Sequence, residues 1–483
     1  MLLGLKRMRL FRPLIVLSLL LLASSLLAAQ TQNQLPDTPA GHQCAAWLEN
    51  FNRGDRDAFR AFLEKNYPSE LERLDGAMQF RQMTGGFEFR KLEESSPTKI
   101  VVLVQEHDSD QFARMTMEVE QAEPHHITSL DLRAIPRPAG QAEFQLPHLS
   151  PTELVAAARE EMEKEVAADH FSGAVLVVKD GKPMLSEAYG LADREHKVPN
   201  TLKTRFRIGS MNKMFTATSI LQLAQAGKLG LNDALGKNLT DYPNKDVASK
   251  VTIHELLTHT GGTGDIFGPE FEAHRLDLRT LDDYVKLYGK RDPEFDPGSK
   301  WEYSNYGFIL LGAIIEKVSG QIYYDYVREH IYVPADMTST GSEPEDRAVP
   351  DRSIGYMRAP EGWKPNNDTL PYRGTSAGGG YSTVEDLVKF GIAIEGNKLL
   401  DAHYTELLTT GKPGTPDDSY AYGFGDQKVN GTRCFGHGGG APGMNGDLKI
   451  CPAGGYIIAV LANMDPPAAS RVSDFIANRL PEH

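Results

Sequence analysis

Three places in the chain carry side chains that could do chemistry together. At the first, Phe206-Arg207-Ile208-Gly209 leads into Ser210-Met211-Asn212-Lys213. A glycine ends an extended segment there, and a long apolar run begins. We expect Ser210 to cap the helix that follows, with Lys213 one turn on and on nearly the same face. A lysine amine kept neutral by burial can take a hydroxyl proton. The alkoxide would form at the positive end of the helix, beside free backbone N–H groups. The same spacing suits an ordinary N-cap serine, and both readings stand at this point. A second S-x-x-K, Ser96 to Lys99, leads into the strand-like run Ile100–Val104, where residues three apart face opposite ways.

The second place is Tyr303-Ser304-Asn305, ahead of an apolar helical run from Tyr306 to Val318. A tyrosine hydroxyl can relay a proton between a serine, a lysine and a leaving group. An asparagine amide can orient that lysine and hold a substrate carbonyl. In isolation the pattern is cheap, as Tyr242-Pro243-Asn244 shows. The third place is His437-Gly438-Gly439-Gly440 at the end of a strand-like run. Gly438 and Gly439 would let a substrate backbone approach a strand edge. The N–H of Gly440, with that of Ser210, would form an oxyanion hole. Two decoys are set aside. Gly374-Thr375-Ser376-Ala377-Gly378 matches a nucleophile elbow, but no buried strand precedes it and the HGGG run follows it. His254 and His259 are five apart, about 140° around a helix, which suits no zinc site of the HExxH kind.

In this order and with their flanks, the motifs resemble the serine β-lactamase and penicillin-binding superfamily. The resemblance is to its class C-like branch of esterases, D-aminopeptidases and DD-peptidases. The flanks are Ile253–Gly262, Pro297-Gly298 before Tyr303, and Ala377–Thr383, and the resemblance covers about residues 155–465. It implies an antiparallel sheet flanked by helices, plus an all-helical subdomain. It implies that Ser210 is acylated, that Lys213 and Tyr303 share the acid and base work, and that Asn305 positions Lys213. It also implies an oxyanion hole at Ser210 and Gly440. His437 stands where the lactamases have lysine, so the permanent charge that helps hold a substrate carboxylate is missing. A histidine of ordinary pKa would answer mainly with a hydrogen bond. The expected function is an acyl hydrolase of esters or D-amino-acid peptides. The alternatives are a β-lactamase, or a penicillin-binding sensor that acylates without turnover.

The elements that must position these residues follow from the rest of the chain. Its 483 residues allow two or three domains. The formal net charge of −14 argues against a nucleic-acid partner; the small-molecule or peptide substrate is what the resemblance implies. Lys6, Arg7, Arg9 and Arg12, an apolar run from Pro13 to Leu27 and then Ala28-Ala29 read as a cleaved export signal over residues 1–29. We expect a periplasmic or extracellular protein with no membrane span in its mature chain, and the oligomeric state is open. Residues 38–135 read as a small α+β domain of cystatin-like or NTF2-like pattern. Within it two helices precede strands at 86–92, 99–106, 111–120 and 126–134. Residues 136–150 are a linker, and 151–483 form the hydrolase domain. That domain opens with a helix at 151–167 and two strands. It closes with strands near 419–426, 429–436, 445–451 and 455–462, then a helix. The three cysteines are too few for a disulfide scaffold. Cys434 and Cys451 fall on neighbouring strands around His437 and are expected to pair. No metal and no cofactor is expected.

Overall fold

The structure, a computed structural model, describes residues 34–482 except 136, 139–144 and 360. The leader expected over residues 1–29 and part of the expected linker fall outside the described residues. The chain divides into two compact units, residues 1–144 and 145–483.

In the first unit, Thr38 accepts a bond from the Gly41 N–H, and Pro39 sets the first turn of α1 (Pro39–Arg53). Asp55 caps α2 (Arg56–Asn66) through the Ala58 N–H. A third helix, α3 (Leu74–Thr84), was not expected. It buries only Leu74 and Thr84, so no apolar stripe marks it in the sequence. Four strands follow: β1 (Phe87–Ser95), β2 (Lys99–Glu106), β3 (Phe112–Val119) and β4 (Ile127–Ile135), paired antiparallel in chain order. Met115, Met117 and Val119 of β3 share a core with Trp47, Phe51 and Phe59, while Arg114 and Glu118 face out. Ser96 and Lys99 close a turn here, with the Lys99 N–H donating to Ser96 Oγ and Lys99 Nζ paired with Glu94.

The second unit opens with α4 (Pro151–Ala167), started by a Ser150–Glu153 capping box, and the hairpin of β5 (Gly173–Lys179) and β6 (Lys182–Tyr189). Helices come next, among them α5 (Asn212–Gln225), α6 (Ile253–Thr258), α7 (Leu281–Tyr288), α8 (Asn305–Ser319) and α9 (Val384–Glu395). The chain then returns to strands β7 (Gly425–Val429), β8 (Thr432–Ala441), β9 (Met444–Cys451) and β10 (Tyr456–Ala462), and ends on α10 (Ala468–Ala477). The six strands form one antiparallel sheet in the order β7-β8-β9-β10-β5-β6. Strands β5 and β10 are buried on both faces, which is why each reads as a continuous apolar run. Leu154, Met162, Val472 and Ile476 of α4 and α10 cover one face. Phe215, Phe308 and Phe390, from α5, α8 and α9, belong to the core on the other. In α5 every residue but Gln222 and Gln225 is buried, the pattern of a helix enclosed on all sides.

Two strands lie further along than the sequence suggested. The runs read at 419–426 and 429–436 are β7 and β8, at 425–429 and 432–441. The glycine run looks like a turn, yet Gly439 sits opposite Gly446 and Gly440 opposite Asn445 in the ladder with β9. The chain turns only at Pro442-Gly443, where Gly443 has φ 72°. Cross-strand pairing overrides the local preference of glycine. Cys434 and Cys451 form a disulfide between β8 and β9, around that later turn and not around His437.

Candidate active site

Ser210 does not cap the helix. It lies within a 3₁₀ turn, Gly209–Met211, that runs into α5, and no side chain caps the junction. Its hydroxyl is therefore available to other partners. Lys213 Nζ lies 3.2 Å from Ser210 Oγ. The same Nζ donates to Asn305 Oδ1 at 2.7 Å and to the Ala377 carbonyl at 2.5 Å. Three acceptors match the three donors of an ammonium. Lys213 is fully buried, and burial brings its pKa down to about 7, with the Asp265 carboxylate opposing the shift. Burial raises the pKa of the Tyr303 hydroxyl, and the neighbouring Ser210 hydroxyl opposes the shift. Lys213 Nζ sits 4.7 Å from the centre of the Tyr303 ring.

Ser304 caps the helix that follows, its Oγ accepting the Gly307 N–H, and Asn305 is the first helical residue. The Asn305 amide is thereby free for Lys213 on its oxygen. Its nitrogen donates to Asp265, at 3.0 and 3.1 Å to the two carboxylate oxygens. Those donors fix which way the amide faces. Asp265 escaped the sequence reading, because it lies in a loop outside every motif.

The elbow-like stretch at 374–378 carries no nucleophile. Ser376 is fully buried against Gly312 of α8, and its hydroxyl has no hydrogen-bond partner among the described residues. What the stretch supplies is backbone. The carbonyls of Thr375, Ser376 and Ala377 accept, in turn, the side chains of Asn212, Thr216 and Lys213. The Gly379 N–H then donates to the Gly209 carbonyl at 3.1 Å.

On its other side the serine turn meets β8. Gly209 has φ 51°, and a Cβ placed on it would lie 3.1 Å from the Gly440 nitrogen. A Cβ on Gly439 would lie 1.9 Å from the Ile208 carbonyl oxygen. Only glycines allow this approach, which brings the Gly440 N–H beside the turn that carries Ser210. Gly438 is exposed and Gly439 buried. His437 adjoins the group through its ring, whose centre is 6.5 Å from that of Tyr303. Its pKa falls to about 4, through burial and the nearby Lys213 charge. Both ring nitrogens have partners: Nε2 the Tyr420 hydroxyl at 3.2 Å, and Nδ1 the Gly438 carbonyl. The ring is therefore neutral, and both of its nitrogens are engaged within the protein. A cleft lined by Tyr420, Gln427, Phe435, His437, Gly438 and Asp447 reaches the constellation at Tyr420 and His437, with Ser210 and Lys213 off its walls.

Among the described residues His254 and His259 share no common centre. His254 Nδ1 meets the Tyr422 hydroxyl at 2.7 Å, and His259 Nε2 meets the Tyr420 hydroxyl at 2.9 Å. Tyr242 contacts the Tyr306 hydroxyl in the helical core, and Asn244 caps a short helix at Lys245–Lys250.

A mixed antiparallel sheet and helical body, with a buried lysine on a serine turn, defines a class, and the comparisons with known proteins bear on it directly. The Beta-lactamase family profile matches residues 157–481, and the chain belongs to that family. PbpX of Bacillus subtilis (strain 168) is 32% identical over 297 residues, 61% of this chain and 71% of its own. The crystal structure of a penicillin-binding protein from Bacillus halodurans shares 33% identity and a TM-score of 0.59, covering 65% of this chain and 97% of that one. A D-stereospecific amidohydrolase from Streptomyces sp. shares 29% identity and a TM-score of 0.57, covering 67% and 98%. The first unit lies outside the matched residues. Among the described residues no helix is long and apolar enough to cross a membrane.

Proposed function

We propose that this protein is an exported serine acyl hydrolase that forms an acyl-enzyme on Ser210 and acts on esters or D-amino-acid peptides. The observation that carries this reading is the buried Lys213 amine, 3.2 Å from the Ser210 hydroxyl and with its pKa near 7. In its neutral form Lys213 takes the Ser210 proton, and Oγ adds to the acyl carbonyl. The N–H groups of Ser210 and Gly440 receive the oxyanion. Tyr303, whose ring lies beside Lys213, gives its proton to the leaving group as the bond to the acyl carbon breaks, and is reprotonated from Lys213. Water then adds to the acyl-enzyme by the same steps in reverse, releasing the acid and restoring Ser210. Asn305 holds Lys213 in place throughout.

His437 bears on the substrate. A β-lactam carries a carboxylate beside its scissile bond, and a neutral imidazole with both nitrogens engaged offers that group no fixed charge. Loss of one charge-assisted bond amounts to about 1–2 kcal/mol, roughly tenfold in rate if it is felt in the transition state. The amidohydrolase among the similar structures favours D-amino-acid substrates, while relatives named as penicillin-binding proteins keep acylation by β-lactams in view. The Cys434–Cys451 disulfide supports an oxidising compartment outside the cytoplasm.

The test compares the mature protein on a p-nitrophenyl ester, a D-amino-acid amide, a peptide ending in D-Ala-D-Ala and a chromogenic cephalosporin. Turnover of one of the first three, lost in Ser210→Ala, is expected. Efficient cephalosporin turnover above all three would make it a β-lactamase, and a stable acyl adduct with no turnover of any would make it a sensor.

A further inference from the structure

His259 ends α6 in the left-handed conformation, at φ 61°, and is 1% exposed. Its contacts bracket Tyr303. The Glu302 N–H donates to the His259 carbonyl at 3.0 Å, and the Ser304 N–H donates to His259 Nδ1 at 3.0 Å. Between these two bonds the Tyr303 ring lies against the imidazole, with centres 4.3 Å apart. Phe308 supports the imidazole at 5.1 Å. One histidine thus holds the residue before Tyr303, the residue after it, and the ring itself.

The partners also assign the proton positions. A backbone N–H can only donate, so His259 Nδ1 is the acceptor. Burial, with the nearby Lys213 charge adding to it, keeps the ring neutral, its pKa well below 6.5. The single proton is then on Nε2 and is donated to the Tyr420 oxygen. The Tyr420 hydroxyl donates in turn to His437 Nε2, and His437 Nδ1–H to the Gly438 carbonyl. Every donor in this chain points the same way, from the Ser304 backbone to β8.

Resting on the reading of Tyr303 as the leaving-group acid, we propose that His259 is a positioning residue for Tyr303. It acts as a neutral Nε2–H imidazole that clamps residues 302–304 and, through Tyr420, fixes the His437 ring. It touches neither Ser210 nor the reacting atoms. Its effect falls on the step in which Tyr303 protonates the departing group. An amide or alkyl ester needs that proton, whereas p-nitrophenolate leaves without much help.

The experiment measures kcat on an amide or alkyl ester relative to the p-nitrophenyl ester in the full chain. His259→Gly tolerates the left-handed backbone and removes the acceptor. Both activities fall, and the ratio falls further, by about tenfold. His259→Asn also tolerates that backbone, and its Oδ1 can take the Ser304 N–H, so it restores much of the ratio. An unchanged ratio in His259→Gly, or an Asn variant as impaired as the Gly variant, would overturn the proposal. Nitrogen-15 spectra of the wild type give a readout free of mutation and turnover. A protonated His259 Nδ1 refutes the clamp, and a protonated Nε2 supports it. Failure of Ser210 to react with an active-site phosphonate would instead sink the catalytic reading, leaving the spectra to decide the clamp alone.

Discussion

Replacing Asp265 by asparagine is the sharpest probe of the buried lysine. Asp265 reaches Lys213 through the Asn305 amide, with bonds of 2.7 Å on one side and 3.0 Å on the other. Adding the width of an amide puts the carboxylate charge about 7–8 Å from the ammonium. At that distance the attraction is about 0.5 kcal/mol for a water-like dielectric and about 2 kcal/mol at an effective value of 20. The carboxylate favours the charged amine, so its removal lowers the Lys213 pKa, from about 7 in the native protein. The pH midpoint of Ser210 acylation therefore moves to lower pH by roughly 0.5 to 1.5. In the wild type, acylation rises with pH through a midpoint near 7, because the neutral amine is the reactive form. The variant reaches its plateau earlier. The plateau itself is lower, since a weaker base serves and the Asn305 amide loses its charge-assisted partner. The assay is the pre-steady-state release of p-nitrophenol across pH 5 to 9. A midpoint that stays put or moves upward would show that Lys213 is not the titrating base, or that Asp265 does not act on it.

Two further outcomes follow from the backbone around the serine. Gly209→Ala places a Cβ 3.1 Å from the Gly440 nitrogen at a left-handed position. Phosphonate labelling should slow at least about tenfold while stability falls by only about 1–2 kcal/mol, as read by labelling kinetics and thermal melting. Opening the Cys434–Cys451 bridge by double Cys→Ser substitution frees a segment with a sequence separation of 17. The loss expected from the denaturation midpoint is about 3 kcal/mol, and an unchanged midpoint would show that the β8–β9 ladder holds without it.

The residues whose chemistry needs a fixed spacing within one helical turn were legible. Ser210 and Lys213 share a turn of backbone, so three positions of sequence specify their separation. Asp265 was not legible, because its role comes from an amide that chain folding brings to it. Ala377 was hidden for another reason. It contributes a carbonyl, and every residue has one. The glycines at 438–440 pointed to close approach, yet their location inside a strand depended on β9, which is specified elsewhere. His259 appeared in the sequence within the Ile253–Gly262 flank and as half of a failed zinc motif, with no role assigned to it. Its left-handed backbone and its acceptor role emerge once the loop bearing Tyr303 packs on it. In the first unit the same logic holds: α1 and α2 announce themselves through caps and apolar faces, and α3, with little to bury, does not.

The pairing of β10 with β5 sets an order of events. Lys179 lies opposite Tyr456, so the central ladder joins positions about 280 apart in the chain. A growing polypeptide cannot close that ladder until its last strands have emerged. The strand that brings Gly440 to the serine turn belongs to the same late segment. A chain stopped before β8 would hold Ser210 and Lys213 on a helix with no wall behind them. The wall behind Ser210 is therefore complete only once β8 and β9 have been made, and a proteolytic cut that strips off those strands would take the Gly440 N–H away from the serine turn.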